Sequence, residues 1–259
     1  MPNAEYIIEA QISEPKSSLG AFELPCGLML GDGTLAKSVT LREITGAEED
    51  MLASKKVHTT KKMSELLANC CLSIGDISTK EAIREATPKL LVGDRVFLLL
   101  AIRRVSLGDV YPFTVACPSC EVPNLYDVDL STFDVKAMPD PAKRVYDMVT
   151  PRGVKVRWHP MDGRGEESLA KLQSESDKIT LSLLVRLDMV NDMPPTLETI
   201  KAMGISERNA IRDAFQEVEG GVDTNMDMEC PKCGHEFSID IDIGQQGFFF
   251  PSAMKRASK

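Results

Sequence analysis

The 259-residue sequence predicts an α+β protein, with an N-terminal β-hairpin and helices followed by a helical block inserted between two cysteine-bearing β-hairpins. Three observations predict it. A Gly31-Asp32-Gly33 turn separates two apolar runs near the start, and the middle of the chain carries apolar residues at helical spacing. Two segments that read strand, Cys-Pro-x-Cys, strand bracket that middle.

Each element follows from local chemistry. Leu28-Met29-Leu30 and Ser38 to Ile44 flank the glycine turn and fold back on each other, with Val39, Leu41 and Ile44 facing inward. Thr45 with Glu48 three residues on is a capping box, which opens a helix from Gly46 to about Val57. Lys61 to about Leu72 fits a second helix, with Met63, Leu66, Leu67 and Cys70 on one face. Ser78 with Glu81 repeats the capping box before a short helix that ends near Pro88. Asp94 then caps an apolar helix, Arg95 to Leu107, stopped by Gly108; Phe97, Leu98, Leu100, Ala101 and Val105 mark it as buried.

Beyond the first cysteine pair, Met138-Pro139-Asp140-Pro141 is the candidate hinge. Glu166 to about Val190 reads as one long helix through Leu169, Leu172, Ile179, Leu183, Leu184 and Leu187, ended by Asp192 to Pro195. A short helix spans Leu197 to Met203, and another runs from Ser206 to Val218, stopped by Gly220-Gly221. The expected regions are 1–108 (strand and helix), 109–247 (the two hairpins with the inserted block) and a tail, 248–259.

The internal repeat carries the chemistry. Phe113 to Cys120 leads into Tyr126-Asp127-Val128-Asp129-Leu130, and Met226 to Cys233 leads into Phe237-Ser238-Ile239-Asp240-Ile241-Asp242-Ile243. Both return strands alternate apolar with polar, largely acidic residues, the period of a half-buried strand. Two cysteines two residues apart across a tight turn can reach one ion but supply half of a four-ligand shell. Structural zinc takes four ligands at tetrahedral corners, with zinc–sulfur distances of about 2.3 Å. Cys117 and Cys120 therefore require a second pair, and the chain has one, Cys230 and Cys233. The 109 residues between Cys120 and Cys230 do not forbid a shared site, because loop-closure entropy grows only logarithmically. One structural Zn2+ per chain is the expected cofactor, pinning the ends of the insertion.

Two other readings exist for these thiols. A redox Cys-x-x-Cys opens a helix, which lowers the thiol pKa, whereas Pro123-Asn124 and Gly234 follow these pairs. Merely buried thiols are the other alternative. His235 lies two residues past Cys233 and is expected at the surface, as are His58 and His159 unless hydrogen-bonded. Cys26, Cys70 and Cys71 lack ligand spacing and read as small buried hydrophobes. No His-Glu-x-x-His and no phosphate-binding glycine loop occurs, and four thiolates leave no open position for an activated water.

Composition sets further bounds. Net charge is −9, and the seven cysteines are an odd number that argues against a full disulfide framework. Val110 to Leu130 holds three acidic and no basic residues, and Val222 to Ile243 holds six acidic and one basic, so both hairpins repel a phosphate backbone. The basic clusters Lys55-Lys56, Lys61-Lys62 and Lys255-Arg256 are short and read as solvated faces and a fraying end. No apolar run approaches the roughly 18 residues of a membrane span. The N-terminus lacks the build of a signal peptide, so a reducing cytoplasm is the expected setting.

Phe248-Phe249-Phe250 is a large apolar group near the end of the chain. Two readings stand: the rings dock into a neighbouring subunit, where aromatic anchors dominate binding energy, or they fold back into the chain's own core. The first twenty or so residues and the basic tail read as arms that order on assembly.

With these residues in view, the chain resembles the baseplate hub and hub-assembly protein family of T-even-type contractile-tailed bacteriophages. The resemblance rests on Leu24-Pro25-Cys26-Gly27, Val39 to Thr45, Leu91-Val92-Gly93-Asp94-Arg95-Val96-Phe97-Leu98-Leu99, both cysteine knuckles and Gly247-Phe248-Phe249-Phe250-Pro251. It implies a non-catalytic structural or assembly role in the virion tail baseplate, assembled in the host cytoplasm beside other hub, wedge, spike or tail tube proteins. Family members place glycine after the second cysteine of each knuckle; this chain does so at Gly234 but has Glu121 in the first, which puts that turn's shape in question. A zinc-stabilised adaptor of a cellular complex is the alternative function.

Overall fold

A computed structural model describes residues 20–54, 58–171, 175–244 and 246–250. The expected N-terminal arm, the Lys55-Lys56 pair and the basic tail lie outside these residues.

The first hairpin pairs β1 (Gly20–Met29) with β2 (Leu35–Leu41), and β3 (Cys71–Ile74) joins on the far side of β2. Gly33 takes φ +84° in the turn, which a side chain would strain, and the Thr34 N–H donates to the Asp32 carboxylate at 2.9 Å. The β1–β2 register slips between Glu23 and Leu28, so Leu24-Pro25-Cys26-Gly27 forms a bulge. Proline is tolerated in a strand at such a place because it has no N–H for the ladder.

Helix α1 (Gly46–Ala53) starts at the predicted capping box. Helix α2 (Thr59–Cys70) buries Met63, Leu66, Leu67 and Cys70 as expected. It ends before Leu72 because Cys71 and its successors pair with β2 instead. The cap of α3 (Lys80–Ala86) is Thr79 rather than Ser78: its hydroxyl accepts from the Ala82 N–H at 3.3 Å.

Helix α4 (Val92–Leu107) begins earlier than Asp94. The Val92 N–H donates to the Met161 carbonyl at 2.9 Å, so a neighbouring segment satisfies that end and no side-chain cap is required. Asp94 is released for another role, a 2.7 Å bond from the Cys26 N–H. Gly108 ends the helix at φ +83°, as predicted.

The first cysteine hairpin is β4 (Val110–Ala116) with β5 (Pro123–Asp129), followed by the two-residue strand β6 (Val135–Lys136). The insertion then contributes β7 (Tyr146–Val149), β8 (Lys155–Trp158), α5 (Gly163–Ala170), α6 (Glu175–Leu184), β9 (Leu187–Val190), α7 (Leu197–Ala202) and α8 (Ile205–Val218). The chain returns through β10 (Gly221–Val222), the second cysteine hairpin β11 (Asn225–Glu229) with β12 (Glu236–Asp240), and α9 (Gln246–Phe249).

The long helix expected over Glu166 to Val190 is instead two helices and a strand. Its last part leaves the helical path because Leu187 pairs with Trp158 and Val190 with Val156, giving a sheet in the order β7-β8-β9. Apolar residues four apart satisfy the helical period, and tertiary pairing overrides it. The inserted block thus carries a three-stranded sheet beside helices α5 to α8.

Two large cores result. One joins β1 to β3 and α2 to α4 with Val128, Leu130, Ile241 and Ile243 from the ends of both cysteine hairpins. The other lies within the insertion around Trp158, which stacks on Tyr146 at 4.7 Å and meets Phe215 at 4.6 Å. The buried residues at the ends of both hairpins therefore join the core of the N-terminal elements.

The insertion closes on itself at β6 and β10, where Gly221 pairs with Lys136 and Val222 with Val135. A Cβ on Gly93 would meet the Gly220 carbonyl oxygen at 1.9 Å, so only glycine lets α4 approach this neck. The expected hinge is anchored rather than free. Met138 is buried, and its N–H donates to the Pro25 carbonyl at 2.9 Å. Among the described residues, no helix is long and apolar enough to cross a membrane.

Candidate metal centre

Each cysteine hairpin ends in the same knuckle. The Cys117 N–H donates to the Val122 carbonyl at 3.0 Å, and the Glu121 N–H donates back to the Cys117 carbonyl at 2.9 Å. In the second hairpin, the Cys230 N–H donates to His235 and the Gly234 N–H to Cys230, both at 2.9 Å. A left-handed residue closes both turns, Glu121 at φ 59° and Gly234 at φ 67°. The missing glycine in the first knuckle has therefore not changed its shape.

The knuckles converge. Cys117 Sγ lies 3.7 Å from Cys233 Sγ, and Cys120 Sγ lies 3.7 Å from Cys230 Sγ. All four sulfurs sit within 4.8 Å of one another. A disulfide requires about 2.0 Å between sulfurs, so these are not oxidised pairs. Four ligands at about 2.3 Å from a tetrahedral metal have edges of about 3.8 Å. The sulfur separations fit that shell, and among the described residues this is the group of His, Cys, Asp or Glu side chains that can hold an ion.

The surroundings of the four sulfurs are unequal. Cys117 and Cys230 are buried, Cys120 is half-buried and Cys233 is exposed, so the centre opens to solvent on one side. The sulfurs titrate together: burial raises the Cys230 thiol's pKa, but N–H groups of Cys233 and Lys232 in its own turn outweigh it and hold it at about 6. Cys233, lowered by the His235 N–H, is pushed up to about 12 by burial and the neighbouring sulfurs. The Ser119 N–H points at Cys117 Sγ at 3.4 Å.

Asn124 was not anticipated from the sequence. It is buried on β5, and its amide donates to Cys230 Sγ at 3.5 Å and to the Val122 carbonyl at 3.0 Å, tying one hairpin to the other's cysteine. The signal was the asymmetry of the repeat: Asn124 stands seven residues after Cys117, where the second copy has Phe237 seven after Cys230. Tyr126 adds a second tie, its hydroxyl donating to the Glu229 carbonyl at 3.2 Å.

The remaining expected residues fall elsewhere. Phe248 and Phe249 are 1% and 0% exposed and belong to the chain's own core, which corrects the reading of these two rings as anchors for a neighbour. The physical reason is a partner inside the chain: Phe248 packs on Tyr111 at 5.0 Å, and buried Arg103 donates to its carbonyl at 2.9 Å. Phe250 is half-buried against the same cluster. Cys26, Cys70 and Cys71 are buried as expected, and burial pushes each thiol up to about 12. His58 caps α2, accepting from the Thr60 N–H at 3.4 Å, and His159 pairs with Asp188 at 2.9 Å. His235 is exposed and outside the sulfur cluster.

Comparison with curated proteins and with solved structures finds no match to either. A family model does match, described as T4 bacteriophage base plate protein, over residues 32–250. That span runs from the first hairpin turn through both knuckles to the buried phenylalanines. The chain belongs to the T4 bacteriophage base plate protein family.

Proposed function

We propose that this chain is a non-catalytic structural or assembly component of the hub region of a contractile tail baseplate, stabilised by one Zn2+ bound to Cys117, Cys120, Cys230 and Cys233. The family match over most of the chain is the observation that carries the baseplate role, and it favours that role over a cellular adaptor. The hub position rests on the motifs quoted from the sequence. Its neighbours are then other baseplate proteins, of the hub, wedge, spike or tail tube classes.

Zinc suits the donor set, and iron is the other metal that tetrahedral tetrathiolate sites hold. Four thiolates with tetrahedral spacing favour zinc over hard cations, which prefer oxygen ligands. When bound, the ion supplies structural cross-linking. Four protein ligands fill its shell, which leaves no position for a water nucleophile. The chain's own residues set up the site: two left-handed turns aim the sulfurs, and Asn124 and Tyr126 hold the hairpins together.

The test is genetic and structural. A premature stop codon early in the gene of the encoding phage is expected to yield particles without assembled baseplates, seen by electron microscopy. Normal, infectious tails from that mutant contradict the proposal.

A further inference from the structure

The bulge in β1 is held from both sides by ionisable groups. Below it, Asp94 is fully buried on the first turn of α4, and one of its oxygens accepts the Cys26 N–H at 2.7 Å with the Gly27 N–H also directed at it. Above it, the Arg144 guanidinium donates to the Gly27 carbonyl at 2.6 Å, the Cys26 carbonyl at 3.4 Å and the Met138 sulfur at 3.1 Å. Arg144 and Met138 belong to the neck of the insertion. Asp94 and the bulge belong to the N-terminal core. The second carboxylate oxygen of Asp94 is buried without a hydrogen-bond partner among the described residues.

We propose that Asp94, the Cys26-Gly27 turn and Arg144 form a proton-controlled clamp that holds the insertion's neck onto the N-terminal sheet more tightly in acid than at neutral pH. A buried carboxylate with one oxygen unpaired favours its neutral form, whereas opening the neck would return it to water.

The charged and titratable neighbours support that direction. Burial pushes the Asp94 carboxyl up to about 6, although the N–H groups of Cys26 and Gly27, the charge of Arg144 and a hydrogen bond from the Cys26 thiol pull it down. From the bulge, the Cys26 thiol stays neutral, raised by burial to about 12. From the neck, Asp140 and Tyr146 face Arg144. Beside the bulge, a cleft of about 220 Å³ is lined by Gly93, Cys26 and the Arg186–Glu219 ion pair, which closes at 3.0 Å. Arg95, next to Asp94, points away and pairs with Glu166 at 2.8 Å.

Linkage fixes the sign. The closed clamp binds the Asp94 proton at about 6 and the open one near the ordinary value of about 3.9. Closure is therefore fully favoured below the lower value and weakens as pH rises through the upper one. Between pH 5 and 7.5 the opening equilibrium grows about tenfold.

Amide hydrogen exchange on the full chain tests this. Corrected for intrinsic rates, protection of the Met138 and Cys26 amides should fall about tenfold from pH 5 to 7.5, while β8 amides do not follow. Asp94→Asn should flatten the profile. Arg144→Gln, which leaves Asp94 in place, should move the fall to higher pH because an opposing positive charge is gone. A flat wild-type profile, an Asp94→Asn profile that keeps the fall, or an Arg144→Gln profile that does not move overturns the clamp.

Discussion

Glu121 and Gly234 occupy the same place in their knuckles, four residues after the first cysteine, and both donate a 2.9 Å hydrogen bond to that cysteine's carbonyl with φ near +60°. The left-handed region costs an L-residue about 1–2 kcal/mol, and glycine recovers part of that against its greater freedom when unfolded. Glu121→Gly should therefore stabilise the chain by about 0.5–1 kcal/mol, read as a raised thermal midpoint. Gly234→Ala should lower it.

Asn124 supplies a different test of the same centre. Groups that hold a metal ligand in place from behind typically contribute 10–100-fold to affinity. Asn124→Ala should weaken metal retention in a chelator competition by about that factor while leaving the fold intact. Unchanged retention would mean that its 3.5 Å contact with Cys230 Sγ is incidental.

The aromatic end of the chain should behave as core. Phe249→Ala removes a ring that is 0% exposed and should cost about 3–5 kcal/mol in denaturant unfolding. Truncation after Gly247 should leave the isolated chain poorly folded, by circular dichroism and melting. A fully stable truncated monomer would show that the rings are dispensable to this core.

Acid should strip away one local contact with a predictable sign. Burial alone would raise the pKa of Glu48, but the Arg42 guanidinium at 2.8 Å and the Thr45 hydroxyl and N–H outweigh it and hold it at about 2. A carboxyl depressed on folding contributes stability present above its unfolded value, about 4.3, and lost as pH falls through 2. Discounted for solvent screening around the part-exposed Arg42, that contribution is about 1–2 kcal/mol, and Glu48→Gln should remove it along with part of the pH dependence below about 4.5.

What the sequence disclosed, and what it hid, divides along physical lines. Local chemistry was legible: the Thr45–Glu48 capping box, the Gly33 turn, the Gly108 stop and both cysteine hairpins depend on residues close in the chain. The candidate ligands were legible because two Cys-Pro-x-Cys motifs each lacked half a coordination shell. Hidden features depend on distant partners. Leu187–Val190 is helical by pattern and becomes a strand only because β8 lies beside it. Asp94 has the composition of a cap, yet Met161 satisfies the helix end and frees the carboxylate for the Cys26 turn. Phe248 and Phe249 lie at the end of a chain, and nothing local says that Tyr111 and Arg103 wait for them.

The central claim is that sulfurs 110 or more positions apart meet at one closed ion. Elemental analysis of the folded, purified full-length chain measures this most directly. One zinc per chain is the predicted result, falling to none with unfolding of the knuckle hairpins when a strong chelator is added. A folded chain that carries no zinc, and that a chelator leaves unaltered, would contradict it.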